Sequence, residues 1–142
     1  MIRVVIVDDE ALVRSGLEQI LQVAGDIDVV ATAGGGQAMA AIDRCRPDVV
    51  LLDLRMSDVD GLTILGLIRA RPEPPAVAIL TTFDADEYVT VALRSGAAGF
   101  ILKDTDPGRL AQLVRNVAAG GSVLPRGFRT PCLEDPASRP AG

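Results

Sequence analysis

The sequence of 142 residues contains no histidine and no tryptophan, and its aromatic residues are three phenylalanines and one tyrosine. Without an imidazole, the chain has no histidine to act as a general base, a metal ligand or a phosphoryl carrier. Because aromatic side chains are so few, the core has to be built from valine, leucine, isoleucine and alanine. Hydrophobic residues make up 49% of the sequence, which is enough to form the core of one domain of this length.

Cysteines are also scarce. Cys45 and Cys132 form no C-x-x-C pair, so the sequence does not support a zinc site or a dithiol redox motif. Isolated cysteines suit a reducing compartment, and the start of the chain lacks the pattern of a signal peptide, so we expect a cytoplasmic protein. No apolar run approaches the roughly 20 residues needed to cross a bilayer, and we therefore expect no membrane association.

Positive charge is in deficit, since 14 Lys and Arg residues against 19 Asp and Glu residues leave a formal net charge of −5. A protein with this balance is not expected to bind nucleic acid along its surface unaided. An acidic surface is also common among soluble proteins, so the charge by itself does not identify a partner.

Short apolar runs organise the chain. They predict strands at residues 2–7, 28–33, 49–52, 76–80 and 99–102. Apolar residues at helical spacing predict helices at 10–24, 37–45, 62–70, 86–94 and from Asp106-Pro107 to Gly120. The apolar face of the first helix would include Leu12, Leu17 and Leu21. Regular alternation of strand and helix predicts an α/β protein, a five-stranded parallel sheet with helices on both faces joined by right-handed crossovers. From Arg126 onwards the polar, proline-containing sequence predicts a linker or disordered tail.

Four of the predicted strands lead directly into polar residues. Asp8 and Asp9 follow the first strand, Asp53 the third, Thr81 the fourth and Lys103 the fifth. The carboxyl ends of parallel strands share one edge of the sheet, where ligands bind in this class of fold, so we expect these side chains to lie within reach of one another. Close carboxylates repel each other, and Mg²⁺ would relieve that repulsion because it binds through one or two carboxylates plus a phosphate.

Asp53 is the strongest candidate for covalent chemistry. Its carboxylate follows a buried apolar run and could attack a phosphoryl group to form an acyl phosphate. The Thr81 hydroxyl and the Lys103 ammonium could then contact the phosphoryl oxygens. Each residue has a simpler interpretation alone: the acids after the first strand could cap a helix, Thr81 could end a strand, and Lys103 could be a surface cation. The prediction therefore depends on their occurring together.

The motifs that carry these residues resemble the receiver domain of two-component response regulators. The matching segments are VIVDDE at 5–10, DVVLLD at 48–53, Met56 through Asp60-Gly61, LTTFD at 80–84 and GAAGFILKD at 96–104. The last two are most similar to the NarL/FixJ (LuxR-type) branch. The resemblance implies a (βα)5 flavodoxin-like receiver fold over residues 1–121. Residues 122–142 would then be a linker or disordered tail with no visible DNA-binding domain.

The resemblance implies a metal site and a phosphoacceptor. Asp53 would accept the phosphoryl group. Asp8, Asp9, Asp53 and the backbone carbonyl of Arg55 would hold Mg²⁺, or Mn²⁺ in its place. Two departures from the family pattern stand out: Ser57 occupies a position where proline is usual, and residues 122–142 contain no visible helix-turn-helix.

The resemblance also implies a switch and a set of partners. Thr81 and Phe100 would form the switch pair, and Lys103 would contact the phosphoryl oxygens. The phosphoryl donor would be a phosphohistidine on a cognate sensor histidine kinase, and phosphorylation would promote a homodimer. DNA would be reached only through a C-terminal domain not present here. Such a protein is not a turnover enzyme on external substrates, although it catalyses its own phosphorylation and dephosphorylation.

Three alternatives are open at this stage. A nucleotide-binding α/β protein would carry G-x-G-x-x-G after its first strand, whereas Asp8-Asp9 stand there and Gly34-Gly35-Gly36 has the wrong spacing. A phosphohydrolase with an aspartate nucleophile would hold that residue after the first strand. A degenerate or stand-alone receiver would act as a phosphorylation-independent binding module.

Overall fold

The computed structural model describes residues 1–56, 59–81 and 87–120, without the side chain of Tyr88. Along these residues strands and helices alternate: β1 (Ile2–Val7), α1 (Ala11–Gln22), β2 (Ile27–Ala33), α2 (Ala38–Cys45), β3 (Val49–Asp53), α3 (Gly61–Arg69), β4 (Ala76–Thr81), α4 (Glu87–Arg94), β5 (Gly99–Leu102) and α5 (Pro107–Ala118). The alternation predicted from the apolar runs is confirmed. Ser57, the predicted helix start at residue 86 and the tail at 122–142 lie outside the described residues.

The five strands form one parallel sheet in the order β2-β1-β3-β4-β5. This order is that of the flavodoxin-like fold, so the predicted fold class is confirmed. Strand β1 pairs with β2 on one side and with β3 on the other. The chain therefore reverses its direction of winding between β1 and β3, and this reversal opens a crevice at their carboxyl ends.

Alternate residues of each strand face two separate hydrophobic layers. Val4 and Ile6 of β1 pack toward α1 and α5, while Val5 and Val7 pack toward α2, α3 and α4. All residues of β3 are buried. The fold therefore carries the last residue of that strand, Asp53, into the interior together with its apolar neighbours.

The predicted apolar face of α1 is wrong at one position. Leu17 and Leu21 are buried as expected, but the Leu12 residue is 88% exposed. Five residues of α-helix correspond to a rotation of about 140°, so Leu12 lies on the far side of the helix from Leu17. The helical spacing of Leu12 from its near neighbours predicted that it faces the core. The contact between the helix and the sheet, however, decides which part of an apolar stripe is buried.

Helix α3 begins in close contact with the segment that follows Asp53. The Asp60 carboxylate caps this helix by accepting a hydrogen bond from the Leu62 N–H at 3.1 Å. A Cβ atom on Gly61 would lie 2.4 Å from the Leu54 Cα and 2.6 Å from the Asp53 carbonyl oxygen. Glycine is needed here for the close approach of two backbone segments, since any larger residue would push α3 away from the end of β3.

None of the helices in the described part of the chain has the combination of length and apolar character that a membrane span requires.

Candidate functional site

The strand register brings the predicted residues to one edge of the sheet. Val7 pairs with Leu52, so Asp8 and Asp53 follow side by side at the ends of their strands. Thr81 ends β4, and the Lys103 N–H donates a hydrogen bond to the Thr81 carbonyl at 2.8 Å. The edge predicted from the sequence therefore places two carboxylates, a hydroxyl and an ammonium at adjacent strand ends.

Lys103 joins the two buried carboxylates. Its Nζ lies 2.8 Å from the Asp8 Oδ2 and 3.4 Å from the Asp53 Oδ2. The side chains are 16% exposed for Lys103, 0% for Asp8 and 7% for Asp53. The interpretation of Lys103 as a surface cation is therefore wrong, because its charge is used inside the protein.

The backbone and the side chain of Asp8 are both held in place. Its N–H donates to the Ala33 carbonyl at 3.0 Å, and its Oδ1 accepts from the Glu10 N–H at 2.9 Å. Its carbonyl oxygen accepts a hydrogen bond from the Arg14 guanidinium. The buried Oδ2 accepts no hydrogen bond of normal geometry from the described residues, and its charge is offset by the ion pair with Lys103.

The Asp53 carboxylate lies in an environment that disfavours its ionised form. Burial is the main cause, and it raises the pKa of Asp53 above the usual range; the charge of Asp8 acts in the same direction. The hydrogen bond from the Arg55 N–H to Oδ1, at 3.1 Å, and the charge of Lys103 offset part of this effect. Burial would lower the pKa of Lys103, but the close carboxylates of Asp8 and Asp53 outweigh it and raise that pKa.

A cavity of about 170 Å³ opens beside Asp53. A water molecule occupies roughly 30 Å³ in the liquid, so this space could hold a phosphoryl group with several waters. The described residues that line it are Glu10, Asp53, Leu54, Arg55, Leu80, Thr81, Val89 and Lys103. The candidate nucleophile, hydroxyl and ammonium thus share one space, while Asp8 and Asp9 are not part of its lining.

A group of three carboxylates stands at the start of α1. Ligand oxygens of Asp8, Asp9 and Glu10 lie within 4.8 Å of one another. An all-oxygen donor set of this kind suits a hard cation such as Mg²⁺. The sequence prediction did not include Glu10, although it is the third acid of the same run. Asp53 is not in this closely spaced group.

Phe100 packs in the core below α4. It is buried and belongs to the same hydrophobic cluster as Val89, Ala92 and Leu93 of that helix. It does not line the cavity beside Asp53. The pairing of strands places Phe100 opposite Ile79, two residues before Thr81. The two predicted switch residues therefore lie on adjacent strands, one at the cavity and one beneath the helix.

The sequence pattern of the response regulator receiver domain matches residues 4–115. This chain belongs to that family. The receiver is 39% identical over 126 residues to the transcriptional regulatory protein LnrK of Bacillus subtilis, in an alignment covering 88% of this chain and 57% of LnrK. It is 34% identical over 131 residues to the nitrate/nitrite response regulator protein NarL of Escherichia coli, covering 92% of this chain and 60% of NarL. The receiver thus spans somewhat more than half the length of these relatives.

Solved structures show the same relationship. A signal receiver domain from Mycobacterium tuberculosis superposes with a TM-score of 0.77 at 37% identity, over 84% of this chain and 97% of that one. The receiver family and its NarL/LuxR branch, predicted from the motifs, are confirmed. The nucleotide-binding and phosphohydrolase alternatives do not apply to a member of this family. The phosphorylation-independent module stays an alternative.

Proposed function

We propose that this receiver is a phosphorylation-activated switch of a two-component signalling system, and that Asp53 accepts the phosphoryl group from a sensor histidine kinase. The observation that carries the proposal is the position of the Asp53 carboxylate. It faces a cavity that Thr81 also lines, and its Oδ2 lies 3.4 Å from the Lys103 ammonium. Transfer of a phosphoryl group to a carboxylate requires an anionic nucleophile, a hydroxyl donor and a fixed cation.

The chemistry follows from this arrangement. An oxygen of Asp53 forms a bond to phosphorus as the phosphorus–nitrogen bond of the phosphohistidine breaks, and the electron pair leaves with the imidazole. Burial raises the pKa of Asp53, which makes its carboxylate a stronger base and nucleophile than an exposed one. Lys103 stabilises negative charge on the phosphoryl oxygens. Asp8, Asp9, Asp53 and the Arg55 carbonyl would hold Mg²⁺ or Mn²⁺, which supplies further positive charge to those oxygens.

The acyl phosphate would then redistribute the contacts of Lys103 and Thr81. A phosphoryl group brings up to two negative charges and strong acceptor oxygens, so it competes with Asp8 for the ammonium and attracts the hydroxyl. Movement of Thr81 changes the space beneath α4, where Phe100 is packed. Phosphorylation would thereby shift an existing equilibrium of the α4–β5 region between two arrangements.

A changed α4–β5 surface would favour a homodimer. Among the apolar residues of α4 and α5, Val89, Leu93 and Leu110 are core residues, whereas Val91 is 46% exposed. Val91 is therefore the better candidate for a partner-facing residue on α4. LnrK is named as a transcriptional regulatory protein, so we propose that the output is transcription, exerted by a helix-turn-helix domain that residues 122–142 would link to the receiver. The whole regulator would be a cytoplasmic signalling protein and not an enzyme that turns over external substrates.

A small phosphodonor tests the phosphoacceptor. The chain is incubated with acetyl phosphate and MgCl₂, and its intact mass is measured. We expect the mass of one added phosphoryl group, which Asp53→Asn abolishes and which Asp104→Asn, a change at an exposed acid next to Lys103, leaves in place. If no adduct forms and no Mg²⁺ binds, the phosphorylation-independent module is the better description.

The metal assignment needs a separate measurement. Asp9→Ala should weaken Mg²⁺ binding in calorimetry far more than Ser57→Pro, since serine contributes no predicted ligand. Equal Mg²⁺ affinities for Asp9→Ala and the unchanged chain would show that Asp9 is not a ligand.

A further inference from the structure

Arg14 makes an unusual contact at the start of α1. Its Nη1 donates a hydrogen bond to the backbone carbonyl of Asp8, while its own N–H makes a helical hydrogen bond to the Glu10 carbonyl at 3.1 Å. Long side chains on helices point toward the N-terminus, which explains how Arg14 reaches the loop before its helix. A cation in the first turn is the opposite of what the helix dipole favours, so helix electrostatics does not account for this arginine.

The carbonyl that Arg14 contacts belongs to the peptide between Asp8 and Asp9. The peptide on the other side of Asp8 is held as well, because the Asp8 N–H donates to the Ala33 carbonyl at 3.0 Å. A peptide unit is planar, so fixing its carbonyl fixes the direction in which the chain leaves toward Asp9. Arg14 also lies beside Gly34, where a Cβ would be 3.9 Å from its Nη1, and so it sits between the segments that follow β1 and β2.

We propose that Arg14 is a positioning residue for the divalent-cation site: by holding the Asp8–Asp9 peptide, it directs the Asp9 carboxylate toward the cation. This inference rests on the proposed function, in which the acids after β1 bind Mg²⁺. It assigns to Arg14 a role that acts through Asp9 and involves no contact with the metal.

A positioning role and a purely electrostatic role of Arg14 predict opposite changes in Mg²⁺ affinity when Arg14 is removed. The Arg14 guanidinium is a positive charge near three carboxylates whose ligand oxygens lie within 4.8 Å of one another. If its charge alone mattered, removing it would make the cluster more negative and would tighten Mg²⁺ binding. If it positions Asp9, removing it weakens binding despite the more negative cluster. The sign of the change in affinity therefore separates the two explanations.

Arg3 offers a matched control. Its Nη2 also donates to a backbone carbonyl, that of Cys45, at 2.5 Å, but at the opposite end of β1 from the acidic cluster. The test is calorimetric titration of the chain with MgCl₂ for the unchanged protein, Arg14→Ala, Arg14→Lys and Arg3→Ala. We expect Arg14→Ala to bind Mg²⁺ about tenfold or more weakly, as is typical when a residue that orients a ligand is lost. Arg14→Lys, which keeps the positive charge and can still donate a hydrogen bond, should be intermediate, and Arg3→Ala should bind Mg²⁺ as the unchanged chain does.

The Mg²⁺ dependence of phosphorylation by acetyl phosphate provides a second readout. In Arg14→Ala the Mg²⁺ concentration for half-maximal rate should rise, while the rate at saturating Mg²⁺ should approach that of the unchanged chain. Thermal melting without Mg²⁺ shows whether each variant is folded. Should Arg14→Ala not fold, Arg14→Lys is compared with Arg3→Lys, and weaker Mg²⁺ binding by the former is expected.

Two results would overturn the inference. If Arg14→Ala (or Arg14→Lys in the second comparison) binds Mg²⁺ as tightly as its Arg3 counterpart or more tightly, Arg14 does not position the site, and the proposed function stands. If the unchanged chain binds no Mg²⁺, the inference and the metal-dependent function fail together.

Discussion

Lys103→Met should cause a large loss of stability at neutral pH. The substitution keeps an unbranched side chain but removes an ammonium 2.8 Å from the Asp8 Oδ2 and 3.4 Å from the Asp53 Oδ2. With an effective dielectric constant of about 20, these contacts correspond to gross attractions of roughly 6 and 5 kcal/mol, most of which is offset by desolvation. Removing one partner of a buried ion pair typically costs about 3–5 kcal/mol, because a buried charge is left without compensation. For a chain of this size, that corresponds to a fall in melting temperature of roughly 10–20 °C.

The loss should depend on pH, with a sign that follows from the carboxylates. Burial raises the pKa of Asp53 in the folded state, and loss of Lys103 raises it further. A carboxyl whose folded-state pKa is raised is stabilising below its unfolded-state pKa, and this contribution is lost as pH rises through the folded-state pKa. The destabilisation by Lys103→Met is therefore expected to be small near pH 4 and to grow toward pH 7.

Urea denaturation between pH 4 and pH 8, with Mg²⁺ absent, measures this effect. Arg109→Met, a change at an exposed cation, serves as the control and should alter the free energy of unfolding by less than about 0.5 kcal/mol. Adding Asp53→Asn to Lys103→Met should recover part of the loss, since one of the two uncompensated charges is gone. The reasoning is refuted if Lys103→Met costs less than about 1 kcal/mol at pH 7, or if its cost is the same at pH 4.

Asp53→Asn alone should raise the free energy of unfolding at pH 7, because burial disfavours the Asp53 carboxylate. This gain should vanish below about pH 4, where aspartate is protonated in the unfolded chain too, and a lower free energy of unfolding at pH 7 would contradict the prediction. Gly61→Ala should destabilise by about 1–3 kcal/mol in chemical denaturation, since its Cβ would lie 2.4 Å from backbone. Gly66→Ala in the same helix, with open space around it, should stabilise by about 0.5–1 kcal/mol, and similar values for both variants would refute the close-approach argument. Arg115→Ala should change the melting temperature little, and only above the pKa of Asp26, which the hydrogen bond from Arg115 lowers. The pair would have a structural role if salt left the melting temperature of the unchanged chain unaffected and the substitution lowered it strongly.

Much of the fold and of the site could be predicted from local pattern. The apolar runs identified all five strands of the described sheet, within a residue at either end, because a strand buried on both faces has a nearly continuous apolar sequence. The positions of Asp8, Asp53, Thr81 and Lys103 at strand ends then implied one edge. Leu12 shows the limit of this reasoning, since helical spacing indicates a stripe but does not say where the sheet lies beneath it.

The elements, the residue types at their ends and the family motifs could therefore be predicted, because each of them depends on residues that are neighbours along the chain. The tertiary structure was needed to show that one ammonium lies between Asp8 and Asp53, that Gly61 is needed where two backbones touch, and that Arg14 donates a hydrogen bond to the peptide before Asp9. Lys103 is far from both acids in sequence, while the Gly61 and Arg14 contacts depend on the distance between the end of a strand and the helix that follows it. Such distances are set by strand order, register and packing, which local periodicity does not encode.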